Sequence, residues 1–597
     1  MNERAMPLVP QDGALLPATC DVLVVGSGAG GLATAVVAAR AGLEVLVIEK
    51  APVLGGTSAW SGGWLWIPRN PLAERAGIIE DETEPRRYLA SELGNAAGDP
   101  RIDVFLANGP EMVRWFEAET EVAFVDGNRV PDFHATPGHA TGGRSVAGAP
   151  YDGRRLGPWL DKLRPPLDLI SVGGMGIASG ADLGHFVNWL RSTASFAHVT
   201  RRFLRHGRDL VRHGRSAQLV NGNALVARLL RSALDAGVAI RTGAPAVALI
   251  VEDGRVVGAR VAGAAPGTVR ARRGVVLATG GFPHDAARIA AMFEHAPDGT
   301  GHHSAAPEGN TGDGMRIAEA VGAVVADDLV HPGAWAPVSL VPRKDGSVGR
   351  FPHLVERSKP GFLAVDSHGR RFVNEADSYH DFMAALFRAT PAGEAPVAWL
   401  LADHRAQRRW GLGGAKPFPF PLRPYLASGY LKRGRTIGEL ALACGLDPAA
   451  LEATVTAFNR AAAAGDDPAF GRGRSAYNKV QGDAAATGRN PSLGPVEAGP
   501  FYAVRIVPGS LGTFAGLRTD AAARVLGAGS AAIPGLFAVG NDMSSIMGGT
   551  YPSGGITLGP AMTFGYVAGR VLAGLPVTGL PVGGLEETRE EIGETAG

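Results

Sequence analysis

The apolar positions of this chain come in short unbroken runs that stop at glycine or at an acid. Val22-Leu-Val-Val25 runs into Gly26, and Leu43-Glu-Val-Leu-Val-Ile48 runs into Glu49-Lys50. Later, Gly274-Val-Val-Leu-Ala-Thr279 runs into Gly280-Gly281, and Gly535-Leu-Phe-Ala-Val539 into Gly540-Asn541. Runs of this length predict strands buried on both faces, as in a parallel sheet. Asn221-Gly-Asn-Ala224 opens an apolar segment of helical character. After it, Ala246 to Gly258 reads as a hairpin turning at Asp253-Gly254. Val22–Ala39 and Met543–Gly569 are uncharged and long enough to cross a bilayer. Gly, Ser, Thr and Pro interrupt both at a density that suits phosphate loops, so neither is expected to span.

The first run opens a dinucleotide-binding pattern, Asp21-Val-Leu-Val-Val-Gly26-Ser-Gly28-Ala-Gly30-Gly31. Gly26 allows the tight turn, Gly28 lets the backbone approach a pyrophosphate, and Gly31 lets the following helix pack on the strand. The N–H groups at that helix's start face the phosphates. Glu49 stands 18 residues after Gly31, where a ribose hydroxyl is gripped and a 2′-phosphate is disfavoured. In a chain of 84 glycines the glycine spacing alone would carry little weight. Here strand, helix, second strand and acid fall in register. The next loop, Lys50 to Gly63, carries Gly56, Thr57, Ser58, Ser61, Gly62 and Gly63. Its N–H and hydroxyl groups can follow a longer cofactor from phosphate to an isoalloxazine edge.

Composition narrows the class. The 597 residues are 45% hydrophobic and 19% charged, enough for a large core and more than one domain. A net charge of +1 provides no field for nucleic acid. Two cysteines, Cys20 and Cys444, make neither a disulfide framework nor a cysteine metal site. Met1–Thr19 carries charges and prolines where a signal peptide needs an apolar core, so export is not expected and the cytoplasm is. Arg201 to Arg215 holds six arginines among apolar residues. It reads as a solvated basic helix or loop weakened by Gly207 and Gly214, or as a segment lying on an anionic membrane or ringing an entrance. The alanine- and glycine-rich stretch Ala461–Asp483 reads as a surface loop.

The front motif and the Gly-Gly-Thr-Ser loop resemble the fumarate reductase and succinate dehydrogenase flavoprotein superfamily. The resemblance implies FAD, held non-covalently because the histidine that carries a covalent flavin in some relatives is missing. In that superfamily Ala-Thr279-Gly280-Gly marks a return to the cofactor sheet. Ala246, Asp313, Gly540, Asn541, Thr557 and Leu558 join the expected cofactor set. The implied fold is α/β, a Rossmann-like FAD-binding domain over 17–300 and 505–578 with an inserted α+β catalytic domain at 301–504. Peripheral tails are expected at 1–16 and 579–597.

In Gly369-Arg-Arg-Phe-Val-Asn-Glu375-Ala-Asp-Ser-Tyr379 the chain has tyrosine where fumarate reductases of the superfamily place a catalytic arginine. A neutral phenol cannot clamp a dicarboxylate. It suits removal of a proton α to a ketone, a reaction that also needs donors at the carbonyl oxygen. Tyr551 and the Gly555 N–H can be those donors.

Gly549-Thr-Tyr551-Pro-Ser-Gly-Gly555 to Gly565, with Asn310–Gly314, Glu356–Gly361 and Ser428–Leu431, is similar to the 3-ketosteroid Δ1-dehydrogenases over roughly residues 20–575. The resemblance implies that Tyr551 and Gly555 polarise the ketone, Tyr379 removes the C2 proton, and FAD N5 takes a hydride from C1. The expected substrate is a 3-ketosteroid. A small cyclic ketone such as cyclohexanone stays open, as do an alkene reductase and a flavoprotein without turnover. The expected electron acceptor is quinone-like or oxygen. A further family tyrosine is replaced by Phe133, leaving Tyr151, His134 or water as substitutes, or Tyr379 acting alone.

Overall fold

The computed structural model describes residues 10, 15–263, 265–486 and 489–580; the expected tails at 1–16 and 579–597 fall mostly outside them. Strand Thr19–Val25 is the centre of an eight-stranded sheet. It pairs in parallel with Val45–Glu49 on one side and Gly267–Leu277 on the other, Val22 facing Val45 and Gly274. Ala239–Thr242 extends the sheet beyond Val45–Glu49, and Ala532–Ala538 extends it beyond Gly267–Leu277. Val22, Leu23 and Val24 are fully buried, as an unbroken apolar strand requires. The hairpin closes as expected between Ala246–Glu252 and Arg255–Val261. Asp253 and Gly254, at φ 48° and 78°, make the left-handed pair that matches strand twist.

Two helices pack closely on this sheet. Ala29–Arg40 follows the glycine turn, and Leu558–Leu572 lies against it. Glycine makes the contact: a Cβ on Gly565 would lie 2.6 Å from the Gly30 carbonyl oxygen, and one on Gly569 2.7 Å from Val37 Cβ. Leu558, at the start of the second helix, is thereby held beside the phosphate turn. The two uncharged stretches are thus strand plus helix and loop plus helix, and among the described residues no helix is long and apolar enough to cross a membrane.

A second sheet is wholly antiparallel, in the order Val348–Pro352, Gly333–Pro342, Phe501–Thr513, Ala398–Ala402 and Phe362–Asp366, with Lys432–Gly434 paired to Phe501–Thr513. Phe501–Thr513 runs without interruption through position 504.

Of the two readings of Arg201–Arg215, helix or loop, the structure has the helix: residues 201–213 belong to Thr193–His213, with Gly207 inside it and Gly214 as its C-cap at φ 67°. Twenty-one residues of helix absorb the roughly 1 kcal/mol that one interior glycine costs. One expectation needs correction: Ala461–Asp483 is not a surface loop. It ends one helix, Pro448–Ala464, and begins another, Ala476–Gln481. Between them Asp467 and Arg472 are buried, joined with Arg371 and Glu375 in one network: Arg371 to Asp467 at 2.9 Å and to Glu375 at 2.8 Å, Arg472 to Glu375 at 2.9 Å. Burial without partners would be prohibitive for these charges, and pairing resolves it.

Candidate active site

A single cavity of about 1960 Å³ joins the glycine turn to Tyr379 and Tyr551. Ligand pockets usually occupy about 300–1,000 Å³, so this one has room for a dinucleotide and a second molecule.

The cofactor end is built from backbone. Gly26 sits at φ +111°, and a Cβ there would lie 2.2 Å from the Ala278 carbonyl oxygen; one on Gly31 would lie 2.2 Å from the Gly26 carbonyl oxygen. A Cβ on Gly28 would meet nothing closer than Ser58 Oγ at 3.6 Å, so this is the glycine that faces open space. The N–H groups of Gly28, Gly30 and Gly31 donate to no acceptor among the described residues, while Ala29 N–H is taken by Ser58 Oγ at 3.0 Å. Free amides at a helix start form an anion site, and the residues present fit a pyrophosphate.

Glu49 accepts from Ser27 N–H at 3.1 Å, from Ser27 Oγ at 2.6 Å and from Ala51 N–H at 2.9 Å, which fixes its carboxylate at the cavity wall. Lys50 reaches Asp313 at 2.5 Å. Asn310 bridges Thr57 Oγ1 at 3.0 Å and the Gly280 carbonyl at 3.2 Å. All of Gly56, Thr57, Ser58, Ser61, Gly62, Gly63, Ala246, Thr279, Gly280, Gly540, Asn541, Thr557 and Leu558 line the same cavity.

The sequence reading missed Asp542. Fully buried, it accepts from Thr279 N–H at 2.5 Å, Thr279 Oγ1 at 2.9 Å and Gly281 N–H at 3.0 Å, and so shapes the glycine step after the third strand. Its neighbour Asn541 had been noticed; nothing in a lone Asp signals such a role.

The second end is aromatic. Tyr379 is the first residue of helix Tyr379–Ala389, capped by Ser378 Oγ, which accepts from Asp381 N–H at 3.1 Å. Tyr551 comes from the loop ahead of Leu558–Leu572. The two rings meet edge-on, centroids 5.0 Å apart. Burial pushes Tyr379 well above the ordinary phenol range, and Tyr551 reinforces it. Burial also raises Tyr551, but the Tyr379 and Thr557 hydroxyls oppose the rise. Two features favour an anion at Tyr379: the N-terminus of its helix and the buried Arg357 guanidinium. Arg357 donates to the carbonyls of His353, Glu375 and Asp377, fastening the backbone just ahead of Tyr379.

Gly555 adopts φ +100°, and a Cβ would lie 2.6 Å from Trp66 N, so only glycine fits. Its carbonyl accepts from Trp66 N–H at 3.1 Å, while its own N–H, lining the cavity, has no acceptor among the described residues.

Phe133 stands in the site. Its ring lies parallel to Tyr551 at 5.8 Å and edge-on to Tyr379 at 5.9 Å, and its N–H donates to the Pro552 carbonyl at 2.9 Å. Of the substitutes considered for the absent hydroxyl, Tyr151 is ruled out by position: it pairs with Leu219 in a separate two-stranded sheet, outside the cavity lining. His134 points away from the cavity between Glu92 at 2.5 Å and Asp381 at 2.8 Å. Burial disfavours its charge, but these bonds outweigh burial and hold its pKa up at about 10. It is therefore a charged clamp on the helix carrying Tyr379. The tyrosine ring nearest Phe133 is one the sequence reading passed over: Tyr477, buried, with its ring 4.5 Å from Phe133 and in the cavity lining. It lay in the stretch read as surface.

Comparison with known proteins places the whole chain. It is 40% identical over 93% of its length to 4-oxocyclohex-2-ene-1-carboxylate 5-dehydrogenase of Sinomonas cyclohexanicum, covering 94% of that protein. It is 37% identical to the 3-oxosteroid 1-dehydrogenase of Mycolicibacterium smegmatis, over 92% of this chain and 96% of that one. The crystal structure of 3-ketosteroid delta1-dehydrogenase from Sterolibacterium denitrificans in complex with 1,4-androstadiene-3,17-dione superposes with a TM-score of 0.86 at 32% identity, covering 93% of this chain and all of that one. A family model described as an FAD binding domain matches residues 21–558, and with the free amides of the glycine turn and the cavity beside them, the chain belongs to that FAD-binding family.

Proposed function

We propose that this protein is an FAD-dependent oxidoreductase that desaturates a cyclic ketone between its α and β carbons. One observation carries the reading: an edge-on tyrosine pair and a free glycine N–H share one cavity with the dinucleotide cradle. The ketone oxygen sits between the Tyr551 hydroxyl and the Gly555 N–H, two donors preorganised for the charge that develops on enolisation. Tyr379, in its phenolate form, receives the α-proton on its oxygen and becomes a neutral phenol, the electrons left behind form the new double bond, and the β-hydrogen departs as hydride. FAD, when bound, supplies the acceptor for that hydride. Phe133, Tyr477 and the surrounding apolar walls keep water from the enolate.

The substrate we favour is a 3-ketosteroid, because the cavity far exceeds a dinucleotide's needs and its second half is lined by Phe351, Leu354, Trp410 and Phe418. A small cyclic ketone is the second reading, favoured by the 40% identity to a dehydrogenase of a cyclohexene carboxylate. The flavin is held non-covalently, and its electrons pass on to a quinone-like acceptor or oxygen. The cofactor domain is taken as 17–300 and 505–578 with the catalytic domain 301–504 inserted, a division supported by the mainly parallel sheet falling in the first and most of the antiparallel sheet in the second. A cytoplasmic site of action, with peripheral membrane contact through Arg201–Arg215, belongs to the same proposal.

The test is anaerobic mixing of oxidised enzyme with 4-androstene-3,17-dione, cyclohexanone and ketones of intermediate size while flavin absorbance is followed. Bleaching is expected, with Tyr379→Phe and Tyr551→Phe each slowing it about 10²-fold or more while flavin stays bound. Bleaching by no cyclic ketone, together with rapid reoxidation of reduced flavin by enones, would identify an alkene reductase instead.

A further inference from the structure

Helix Thr193–His213 is turned inside out. The residues it packs against the rest of the chain are Ser195, Val199, Arg202, His206 and Asp209, mostly polar. Arg202 pairs with Asp182 and donates to the Gly176 carbonyl at 2.7 Å, His206 Nε2 bonds the Gly173 carbonyl at 3.0 Å, and Asp209 accepts from Ala217 N–H at 3.1 Å. The outward residues are Phe196, Phe203, Leu204, Leu210 and Val211, with Leu204 71% and Val211 89% exposed. Their spacing places all five on one stripe of a 3.6-residue helix. Arg201, Arg205, Arg208 and Arg212 form a row along one flank. Three of these, Arg201, Arg208 and Arg212, make no ion pair among the described residues; Arg205 reaches Asp152 only at 4.0 Å. A helix that faced only water would turn its apolar stripe to the core.

Helix Thr193–His213 and the segment just before it wall the active-site cavity. Phe186 and Trp189, before the helix, and Phe203, within it, line that cavity. Leu183 and Phe203 are at once in the lining and exposed, at 38% and 43%, so the cavity reaches the outer surface at the apolar stripe.

We propose that this face seats on an anionic lipid bilayer, with the cavity opening into the bilayer so that apolar ketones enter from lipid. An apolar stripe flanked by arginines is the composition of a helix lying in a headgroup plane, where each arginine near anionic lipid adds about 1 kcal/mol. Charge argues against a second copy of the chain as the occupant: a two-fold contact would set one arginine row beside its equal. The inference deepens the peripheral contact proposed above and takes from the ketone chemistry only the class of molecule using the opening.

The holoenzyme is floated with vesicles of phosphatidylcholine alone and of phosphatidylcholine mixed with phosphatidylglycerol. Binding is expected to the anionic vesicles and to weaken with salt. A Leu204→Ser/Leu210→Ser/Val211→Ser variant and an Arg201→Glu/Arg208→Glu/Arg212→Glu variant should each lower binding at least tenfold, while keeping bound flavin and turnover of a water-soluble ketone. Wild-type holoenzyme that ignores anionic vesicles, or that sediments as a dimer which the serine variant makes monomeric, overturns the proposal. Turnover measured without vesicles tests the desaturase reading separately.

Discussion

Tyr379 owes its usefulness to what stands behind it. Ser378 caps its helix, His134 bridges Asp381 to Glu92, and Arg357 holds the carbonyls just upstream. The His134 clamp makes a pH prediction. Its pKa is raised to about 10 in the folded protein from about 6.5 when unfolded. A raised pKa stabilises the fold fully below the lower value and loses that contribution as pH climbs through the upper one. His134→Gln should therefore lower Tm most near pH 6 and progressively less toward pH 10. Thermal melts across that range check it, and a Tm difference independent of pH would remove the charge from the account. Activity moves the other way at first: burial raises both tyrosines, so the rate of flavin reduction rises with pH until the clamp loosens.

Among the elements, the pair Ala29–Arg40 and Leu558–Leu572 decides whether cofactor and substrate ends meet. Gly565→Leu would drive a side chain into the Gly30 carbonyl, where a Cβ already comes within 2.6 Å. Overpacking of this kind costs about 1–3 kcal/mol, so urea unfolding should shift by that amount and flavin should be lost on gel filtration. The first strand, turn, helix and second strand were legible in sequence because each glycine there answers a steric demand that leaves no alternative, as the 2.2 Å approaches at Gly26 and Gly31 make plain. Tyr551 and Gly555 were legible through the resemblance. Tyr477 was not, since alanines and glycines around it carry no periodicity, and the ring it packs against, Phe133, is distant in sequence. Nor could composition reveal that Thr193–His213 faces its polar side inward; the partners Asp182, Gly173, Gly176 and Ala217 show it.

For the whole molecule, the cavity is bounded by both sheets and by helix Thr193–His213, so ligand and fold are coupled. FAD binds the folded state alone, and free FAD at a hundredfold excess over its Kd should add about 2.7 kcal/mol to stability. Apoprotein prepared by acid ammonium sulfate treatment should melt lower than holoprotein, and added FAD should restore Tm in a concentration-dependent way. Melting unchanged by FAD would mean that the glycine cradle binds something else.

The central strand, Thr19–Val25, is made before its flanking strand Gly267–Leu277, and Ala532–Ala538, which pairs to that strand in turn, is made later again. The helix that seals the phosphate turn comes later still, at Leu558–Leu572. On the ribosome, which adds about 5–20 residues per second, an apolar strand edge therefore stays uncovered until Gly267–Leu277 has been made. Expression yield should depend on chaperone supply more than on the finished protein's stability, and a chain cut short before Leu558 should leave the ribosome unable to keep flavin at all.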